Sequence, residues 1–394
     1  MEFAKIIFYT LAAYFFLPYF LIAVRCRKNR LTRPERPRIL LLPILRQIGD
    51  VVCSTPVFRA IKLRYPNAHL AVAIGGNTIG LLRHNPRIDK LICINDKPFK
   101  GFWGRGRFFW FLGRQKFDWV ISLPPSPLHN LMLFYSFAPY RVKTVRQERS
   151  FLERLTDWFA NYHILYRDHT FLPKHYLKLL EALDICESAV IKEVYAAPGA
   201  DGRASEFFSR NGIRQSDTVV GMSITAGNKI KEWGDEKFIR LAREIAARHR
   251  AAVTFFGGPV DEERINAAAE KLHGVQTLKV IGVPLEDLPA YMKRLSIFIG
   301  VDTGLIYIAH ALGVPLVDIT GPVDWREQPP EDEQSIQVRP PPPIQPSSFV
   351  FKAPGTPAEH ERALASITVE MVMGAVDALM SRAVGNSDSG KRVL

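Results

Sequence analysis

The stretch Ile39–Pro56, ILLLPILRQIGDVVCSTP, determines the fold that we expect for this chain. It opens with the continuous apolar run Ile39–Leu42, and a run so short and so apolar predicts a strand buried on both faces, as in a parallel sheet. Gly49-Asp50 then interrupts the pattern, and apolar residues recur at helical spacing until Tyr65-Pro66. The stretch therefore predicts a strand, a tight turn and a helix, which is the unit of doubly wound folds.

Asp50 lies at the turn of this unit. In a doubly wound fold the turn follows the carboxyl end of a strand, where ligands bind, so Asp50 would place a carboxylate at the mouth of a crevice. The same position also fits a helix N-cap, whose side chain accepts hydrogen bonds from backbone N–H groups. The local pattern leaves both interpretations open.

Length and composition indicate a two-domain globular protein. The chain has 394 residues, of which 47% are hydrophobic and 23% charged, so it can bury two ordinary cores. Its formal net charge of +13 favours an anionic partner, either a nucleic acid, a phosphate-rich small molecule or an acidic membrane surface. Cys26, Cys53, Cys93 and Cys186 show no CxxC spacing, which disfavours a zinc site or disulfide framework and fits a reducing cytosolic setting.

The N-terminal stretch 6–24, IIFYTLAAYFFLPYFLIAV, carries no charge and is just long enough to cross a bilayer as a helix. Basic residues follow it at once: Arg25, Arg27, Lys28, Arg30, Arg33, Arg36 and Arg38. By the positive-inside rule we expect residues 1–30 to anchor the chain in a membrane, with the rest in the cytoplasm. Pro18 and the many aromatic rings also fit a monotopic hairpin or an interfacial helix, and a buried core helix is the alternative without a membrane. A cleaved signal peptide fits poorly, because only Lys5 precedes the run and no small-residue cleavage site follows it.

The first half of the chain predicts a Rossmann-like domain over residues 38–190, after a proline-containing linker at 32–37. Apolar strands are expected at 39–45, 69–74, 90–94 and 117–123, and helical stretches alternate with them. This alternation predicts a parallel sheet with helices on both faces.

Two basic clusters lie in this half. The insert Lys97–Lys116, KPFKGFWGRGRFFWFLGRQK, mixes lysine and arginine with phenylalanine and tryptophan. Such a mixture suits an anionic lipid surface or glycolipid headgroup, or a single-stranded nucleic acid, or it is the solvated face of an amphipathic helix. The second cluster consists of Arg141, Lys143, Arg146, Arg149 and Arg154. The two clusters together predict an anion-binding cleft.

The second half predicts another Rossmann-like domain over residues 215–345, after a linker at 195–201. Its strands end at Gly257-Gly258, at Asp302-Thr303-Gly304 and at Thr320-Gly321-Pro322. Backbone N–H groups and the helix dipole at a strand-to-helix junction form an anion site suited to a diphosphate, although Asp302 and Thr303 also fit ordinary N-caps. A proline-rich loop at 336–357, a C-terminal helix at 357–384 and a flexible tail at 385–394 complete the prediction.

The junctions, taken in order from about Arg38 to about Pro330, resemble those of the lipopolysaccharide heptosyltransferases of glycosyltransferase family 9. The matching stretches are Ile48-Gly49-Asp50-Val51-Val52 with Thr55-Pro56, Lys229-Ile-Lys231-Glu-Trp233, Phe256-Gly257-Gly258-Pro259, Gly300-Val-Asp302-Thr303-Gly304 with His310, Gly313-Val-Pro315, and Thr320-Gly321-Pro322. Each is short, and their shared order and position at strand ends make the set specific.

The resemblance implies a GT-B fold, in which two Rossmann-like domains face each other across a cleft. It implies an inverting, metal-independent transfer of a sugar, by family default heptose from ADP-heptose, onto a lipid-linked saccharide such as lipopolysaccharide core. No Asp-x-Asp pair stands in the sequence to hold a divalent cation on a diphosphate. We expect the donor to bind the C-terminal domain and the anionic glycolipid acceptor the N-terminal one, with no bound cofactor.

The resemblance also assigns roles to individual residues. Asp50 would be the general base that takes the acceptor proton, and Lys231 would stabilise the leaving diphosphate. The donor site would comprise Thr225, Lys229, Gly257, Gly258, Glu262, Asp302, Thr303, Gly304, Leu305 and His310. One of Asp261, Glu262 and Glu263 would hold the ribose. Candidates for the acceptor phosphates are Arg105, Arg107, Arg141, Lys143 and Arg146.

The apolar N-terminus and the basic-aromatic insert depart from the family pattern. They predict a closer membrane association, at the cytoplasmic face of the inner membrane, and no nucleic-acid partner. An alternative is a GT-B transferase that uses another nucleotide-sugar and another cell-envelope acceptor. A second alternative, an inactive scaffold or nucleic-acid-binding protein, is disfavoured by the presence of Asp50 and Lys231.

Overall fold

The computed structural model of the protein describes residues 2–30, 36–351 and 355–388. The chain divides into two units, Met1–Lys192 and Glu193–Leu394, and each contains one six-stranded parallel sheet. The prediction of two parallel α/β domains is therefore confirmed. Most of the predicted linker at 32–37 and the last six residues of the predicted tail, 389–394, lie outside the described residues.

The first sheet is built around the apolar run that opens Ile39–Pro56. Its strands are β1 Arg38–Leu42, β2 His69–Ile74, β3 Lys90–Cys93, β4 Trp119–Ser122, β5 Tyr140–Arg146 and β6 Tyr162–Tyr166. They lie in the order β3-β2-β1-β4-β5-β6, so β1 pairs in parallel with β2 and with β4. Four of the five β1 residues are buried, because helices cover both faces of a central parallel strand. The sequence predicted the first four strands and missed β5 and β6.

Eight helices are described in this domain. They are α1 Glu2–Phe15, α2 Leu17–Arg30, α3 Ile48–Arg64, α4 Ile79–Leu82, α5 Gly101–Arg114, α6 Pro127–Tyr135, α7 Phe151–Thr156 and α8 Leu172–Lys178. Helix α3 continues through Pro56, which has no N–H for the carbonyl of Val52. The Thr55 hydroxyl donates to that carbonyl instead, at 2.8 Å, and so compensates for the missing backbone bond.

The N-terminal segment forms a bent helix pair, and the single helix predicted for residues 6–24 is wrong. Helices α1 and α2 meet at 68°, beside Pro18 near the start of α2. Within the described residues no single helix has the length and apolar composition to cross a membrane, whereas two bent pairs, this one and the C-terminal pair, meet those criteria together. Tyr9, Ala13 and Phe20 are buried in the core of the first domain, so one side of the α1–α2 pair belongs to that domain.

The second sheet repeats the first arrangement. Its strands are β7 Val219–Ser223, β8 Ala252–Gly257, β9 Thr277–Ile281, β10 Ile297–Val301, β11 Leu316–Ile319 and β12 Ser335–Val338, in the order β12-β11-β10-β7-β8-β9. Strands β9 and β12 were not predicted, and most of β12 lies inside the stretch 336–357 that we expected to be a loop. Strand β10 is fully buried between β7 and β11.

Helices of the second domain extend beyond the predicted bounds 215–345. They are α9 Ala200–Arg210, α10 Asp235–His249, α11 Glu262–Glu270, α12 Leu288–Met292, α13 Gly304–Ala311, α14 Pro357–Ser366 and α15 Val369–Asp388. The single helix expected at 357–384 is two helices bent by 58°. Thr368 begins the second one, because its hydroxyl accepts a hydrogen bond from the Met371 N–H at 3.3 Å. Since α15 reaches Asp388, the tail predicted from residue 385 is helical over its first four residues.

Candidate active site

Asp50 occupies the first turn of α3, at the carboxyl end of β1. The loop 43–47 makes the turn, Gln47 is the N-cap, and Asp50 is the third helical residue. The N-cap interpretation of Asp50 is therefore wrong. The carboxylate lies where the helix dipole favours negative charge, and the residue is only 9% exposed.

Tyr176 of α8 packs beneath this turn. It is fully buried, and its burial, together with the nearby Asp50 carboxylate, raises the pKa of the Tyr176 phenol well above its usual value. The phenol is therefore neutral at physiological pH and adds no competing charge beside Asp50. The first domain thus carries a largely buried carboxylate at the carboxyl end of its interior strand β1.

Two of the predicted acceptor cations lie inside the first domain. Arg141 and Lys143 stand on β5, and both side chains are buried. The Arg141 guanidinium donates to the carbonyls of Phe159, at 2.5 Å, and Ala138, and burial lowers its pKa to about 10. The Lys143 ammonium donates to Asn130, at 2.7 Å, and to Asp157. This burial argues against the predicted role of Arg141 and Lys143 as ligands of acceptor phosphates.

The other three predicted acceptor cations lie nearer the surface. Arg105 is half-buried and Arg107 is exposed, both on α5, the helix formed by the basic-aromatic insert. Arg146 is half-buried at the end of β5 and donates to Glu153 at 3.0 Å. Arg107 is thus exposed enough to bind an anionic surface, whereas Arg146 forms an ion pair with Glu153.

The second domain brings Lys231 and Asp302 together. Lys231 closes a 3-10 turn, Lys229–Lys231, after β7, and Asp302 directly follows β10. The Lys231 ammonium lies 2.6 Å from Asp302 Oδ2 and 4.7 Å from the centroid of the Phe349 ring. Asp302 is nearly fully buried, so this ion pair fixes the position of the lysine at the carboxyl edge of the sheet.

Tyr307 holds the other side of Asp302. Its buried hydroxyl donates to Asp302 Oδ1, while Oδ2 accepts from Lys231. Both carboxylate oxygens of Asp302 are thus hydrogen-bonded. Asp302 therefore orients Lys231, and this role is separate from its predicted contact with a donor sugar. Since Tyr307 lies one turn into α13, the helix and the lysine are linked through Asp302.

The loop that carries Lys231 is fastened at the two following residues. Glu232 accepts from the Ala226 N–H at 3.3 Å and from Arg264 at 2.7 Å. Trp233 is buried, and its indole N–H donates to the carbonyl of Ile367 at 2.8 Å. The Lys-Glu-Trp sequence therefore consists of one lysine directed to the site and two residues that immobilise its backbone.

The start of α13 has the features that the predicted anion site requires. Thr303 is the N-cap, and Gly304 and Leu305 are the first helical residues, all half-buried. The Thr303 hydroxyl does not cap the helix, and within the described part of the chain it is buried without a hydrogen-bond partner. A free hydroxyl beside unbonded helix N–H groups suits a diphosphate oxygen.

The glycine pair after β8 forms a tight turn into α11. The Gly258 N–H donates to Asp261 Oδ2 at 2.8 Å, so one oxygen of the Asp261 carboxylate is already hydrogen-bonded within the turn. A Cβ on Gly257 would lie 2.5 Å from Ile265 Cδ1, which explains the glycine there. Among the three candidate ribose ligands, Glu262 and Glu263 remain exposed at the start of α11.

Two other predicted donor ligands, Lys229 and His310, lie apart from the Lys231–Asp302 pair. Lys229 is exposed and lines a separate cavity of about 420 Å³ against α14. His310 stands near the C-terminal end of α13 and lies 2.9 Å from Asp332, whose pKa it lowers to about 2. Thr225 is buried just after β7. The structure thus groups Lys231, Asp302, Thr303, Gly304 and Leu305, and it does not bring His310 to the start of α13.

Sequence reasoning missed Tyr307, Phe349, Glu232 and Arg264. Tyr307 and Phe349 follow the motifs in sequence with no recognisable spacing, so only the fold shows their contacts. Arg264 was detectable in part, because a basic residue directly after the acidic run Asp261–Glu263 suggests an ion pair with an acidic segment.

Comparison with known proteins defines the class. The family model "Glycosyltransferase family 9 (heptosyltransferase)" matches residues 105–348, which is more than half of the chain. Together with two parallel α/β domains and a lysine beside a helix N-terminus, this match makes the protein a glycosyltransferase. The chain belongs to glycosyltransferase family 9.

Individual relatives agree with this assignment. Lipopolysaccharide heptosyltransferase 3 of Escherichia coli is 26% identical over 290 residues, covering 71% of this chain and 83% of that protein. The crystal structure of a family 9 glycosyltransferase from Veillonella parvula superposes with a TM-score of 0.74 at 22% identity, covering 89% of this chain and 99% of that one. For the Escherichia coli ADP-heptose LPS heptosyltransferase II the TM-score is 0.70 at 18% identity, with coverage of 88% and 99%.

Proposed function

We propose that the protein transfers heptose from ADP-heptose to a lipid-linked saccharide of lipopolysaccharide core, with inversion and without a metal ion. The names of its relatives support this choice, since they describe lipopolysaccharide heptosyltransferases and an ADP-heptose enzyme. The site chemistry supports it independently of those names, because a cationic side chain and a helix N-terminus suit a leaving diphosphate.

The Lys231–Asp302 pair beside α13 is the observation that carries this proposal. An ammonium group has three N–H donors, and Lys231 directs two of them to Asp302, one to Oδ2 at 2.6 Å and one to the backbone carbonyl at 3.3 Å. The remaining donor can bind a diphosphate oxygen together with the N–H groups of Thr303 and Gly304. As the bond between the anomeric carbon and the phosphate oxygen breaks, negative charge grows on the phosphate and these groups stabilise it.

Asp50 supplies the base in this scheme. The acceptor hydroxyl transfers its proton to the Asp50 carboxylate while its oxygen bonds to the anomeric carbon. ADP leaves from the opposite face, so the configuration inverts. Lys231 and the helix N-terminus provide the charge stabilisation that a divalent cation provides in other transferases, which is why we propose a metal-independent reaction.

The acceptor would be presented at the cytoplasmic face of the inner membrane. Helices α1 and α2 expose large apolar side chains on the side away from the domain core, among them Phe15 at 79% and Leu11 at 64% exposure. Trp103 and Trp110 of α5 are exposed as well, beside Arg107. Because the other side of α1–α2 packs in the core, we propose that the pair lies in one leaflet.

A donor panel tests the function directly. The purified protein is incubated with an anionic lipid-linked core saccharide and with ADP-heptose, UDP-glucose or GDP-mannose, and release of each nucleotide diphosphate is measured with and without EDTA. We expect release of ADP and a heptosylated lipid, unchanged by EDTA. Transfer from another nucleotide-sugar would replace the donor assignment, and loss of activity in EDTA would contradict metal independence.

A further inference from the structure

A groove in the first domain is lined by residues of α1, α2, α5 and α6. Its volume is about 920 Å³, in the upper range of small-molecule sites. Its walls are mainly aromatic and include Phe16, Tyr19, Phe109, Trp110 and Phe137. The groove lies on the side of the domain where the exposed apolar residues of α1, α2 and α5 are found.

Two glycines let α5 pack closely on its neighbours beside the groove, and two tyrosine hydroxyls of the lining are hydrogen-bonded. A Cβ on Gly106 of α5 would lie 2.9 Å from the Tyr9 hydroxyl, and a Cβ on Gly113 would lie 3.1 Å from the Tyr135 carbonyl oxygen. The Tyr9 hydroxyl donates to the Phe102 carbonyl at 2.7 Å, and the Tyr135 hydroxyl donates to the Tyr9 carbonyl at 2.9 Å. The Tyr9 and Tyr135 rings therefore line the groove with their hydroxyls hydrogen-bonded, so a hydrocarbon can contact these rings without desolvating a free hydroxyl.

Basic residues gather at one end of the groove. Arg27 near the end of α2, Arg114 at the end of α5 and Lys116 just beyond it all line the cavity, whereas Phe8 and Gly106 line the part nearer the start of α1 and the middle of α5. Arg114 and Lys116 are exposed, and the Arg114 guanidinium lies 4.6 Å from the centroid of the Trp110 ring. Asp118 also lines this end, where its carboxylate accepts from the Arg38 N–H at 2.8 Å.

We propose that this groove binds one acyl chain of an anionic glycerophospholipid from the bilayer, with the headgroup phosphate at Arg114 and Lys116. An apolar channel with a cationic mouth matches a hydrocarbon chain that carries an anionic head. A peptide fits less well, because its backbone N–H and C=O groups would need partners that this lining does not offer. The inference rests on the membrane contact in the proposed function and is independent of the glycosyl transfer itself.

Photo-crosslinking tests the occupant. The full-length protein is mixed with phosphatidylcholine vesicles that contain phosphatidylglycerol with a diazirine on its acyl chain, and crosslinked peptides are identified by mass spectrometry without any sugar donor. Ala12→Phe and Ala23→Phe fill the groove, since both alanines line it. Leu11→Phe and Ile22→Phe are matched controls, because they add rings at neighbouring exposed positions outside the lining.

We expect crosslinks on α1, α2 and α5 residues of the groove, and a loss of about tenfold in both filled variants. The two controls should retain the wild-type yield, and circular dichroism should show the same helix content in all four. Arg114→Glu with Lys116→Glu should reduce capture of the phosphatidylglycerol probe and spare a phosphatidylcholine probe with the same diazirine chain. Crosslinks confined to outward residues such as Phe15, an undiminished yield in Ala12→Phe, or no crosslinks at all would overturn the proposal, whatever the result of the transfer assay.

Discussion

In each domain the candidate catalytic residue lies at the carboxyl end of the parallel sheet, but the surroundings of the two residues differ. In the first domain Asp50 is shielded by a helix turn and by the neutral, buried Tyr176. In the second domain Lys231 belongs to a connected set of polar contacts with Asp302 and Tyr307. A general base needs an ionised carboxylate, which the helix N-terminus favours at Asp50, whereas a leaving-group stabiliser needs a cation held in place, so each construction suits its proposed role.

The same contrast holds for the charges around each site. In the first domain, Arg141 and Lys143 were predicted from the sequence to bind acceptor phosphates. Both side chains are instead buried in the domain. In the second domain Arg264 joins Glu232 and Asp235 at the partly exposed loop that carries Lys231. Basic residues therefore support packing in the first domain and position the loop that carries Lys231 in the second.

Removal of the base should have the largest effect. Asp50→Asn keeps the shape of the side chain and removes the proton acceptor, so kcat for transfer should fall by about a thousandfold, within the range of a general base. Steady-state assays with ADP-heptose and a lipid-linked acceptor measure it. Turnover within tenfold of wild type would contradict the assignment.

Removal of Lys231, the cation proposed to stabilise the leaving diphosphate, should have the second-largest effect on kcat. Lys231→Met should lower kcat by at least about a hundredfold, the scale of one lost electrostatic stabiliser. Lys229→Met is the matched control, because Lys229 lies two residues away, is exposed and lines a separate cavity. The control should retain activity within about threefold. If Lys229→Met proves as damaging as Lys231→Met, the separation of the two lysines is wrong.

Substitution of a buried basic residue of the first domain should lower stability more than substitution of an exposed one. Lys143→Met leaves the Asp157 carboxylate partly uncompensated inside the domain and should lower the free energy of unfolding by about 3 kcal/mol. Arg107→Met, on the exposed side of α5, should change it by less than about 0.5 kcal/mol. Urea unfolding followed by circular dichroism measures both, and equal effects would refute the burial argument for Lys143.

As the pH falls, the first domain should unfold before the second. Burial lowers the pKa of His129 and of His175 from 6.5 to about 4, so the unfolded state binds more protons between these values. Each histidine therefore lowers the free energy of unfolding as pH falls from 6.5 to about 4, by up to roughly 3 kcal/mol. In the second domain the Asp332 contribution is lost only as pH falls from 3.8 to about 2.

Cys53 reports this opening because it is buried in α3 of the first domain. Its labelling by a dithiodipyridine reagent at a fixed moderate urea concentration should rise between pH 6.5 and pH 4.5, and His129→Leu should weaken that rise. A rise of the same steepness in the variant would show that His129 is not one of the titrating groups.

Local apolar pattern was sufficient to predict much of the sheets but not all of them. Strand β2 falls at His69–Ile74 as predicted, because a buried parallel strand is a continuous apolar run. Strand β5 reads YRVKTVR, with Arg141 and Lys143 at alternating positions, so it was interpreted as part of an anion-binding cleft. The difference arises because Arg141 and Lys143 meet carbonyl, amide and carboxylate groups from distant segments, which no local pattern reveals.

The candidate site was predictable to the extent that it lies at strand ends. The positions of Asp50, Lys231 and Thr303 at those ends follow from the alternation of strands and helices. The pairing of Lys231 with Asp302 spans 71 residues and exists only once β7 and β10 pair. The family resemblance assigned His310 to the donor site, although five residues of helix lie between it and Gly304.

Calorimetric titration of ADP into the wild type, Asp50→Asn and Lys231→Met tests the central claim, that the base and the phosphate ligand are carried by different domains. We predict that Lys231→Met weakens ADP binding by about tenfold or more, since it loses a charge-assisted bond to the diphosphate, while Asp50→Asn leaves the dissociation constant unchanged. Weaker binding in Asp50→Asn, or wild-type binding in Lys231→Met, would contradict this division of roles.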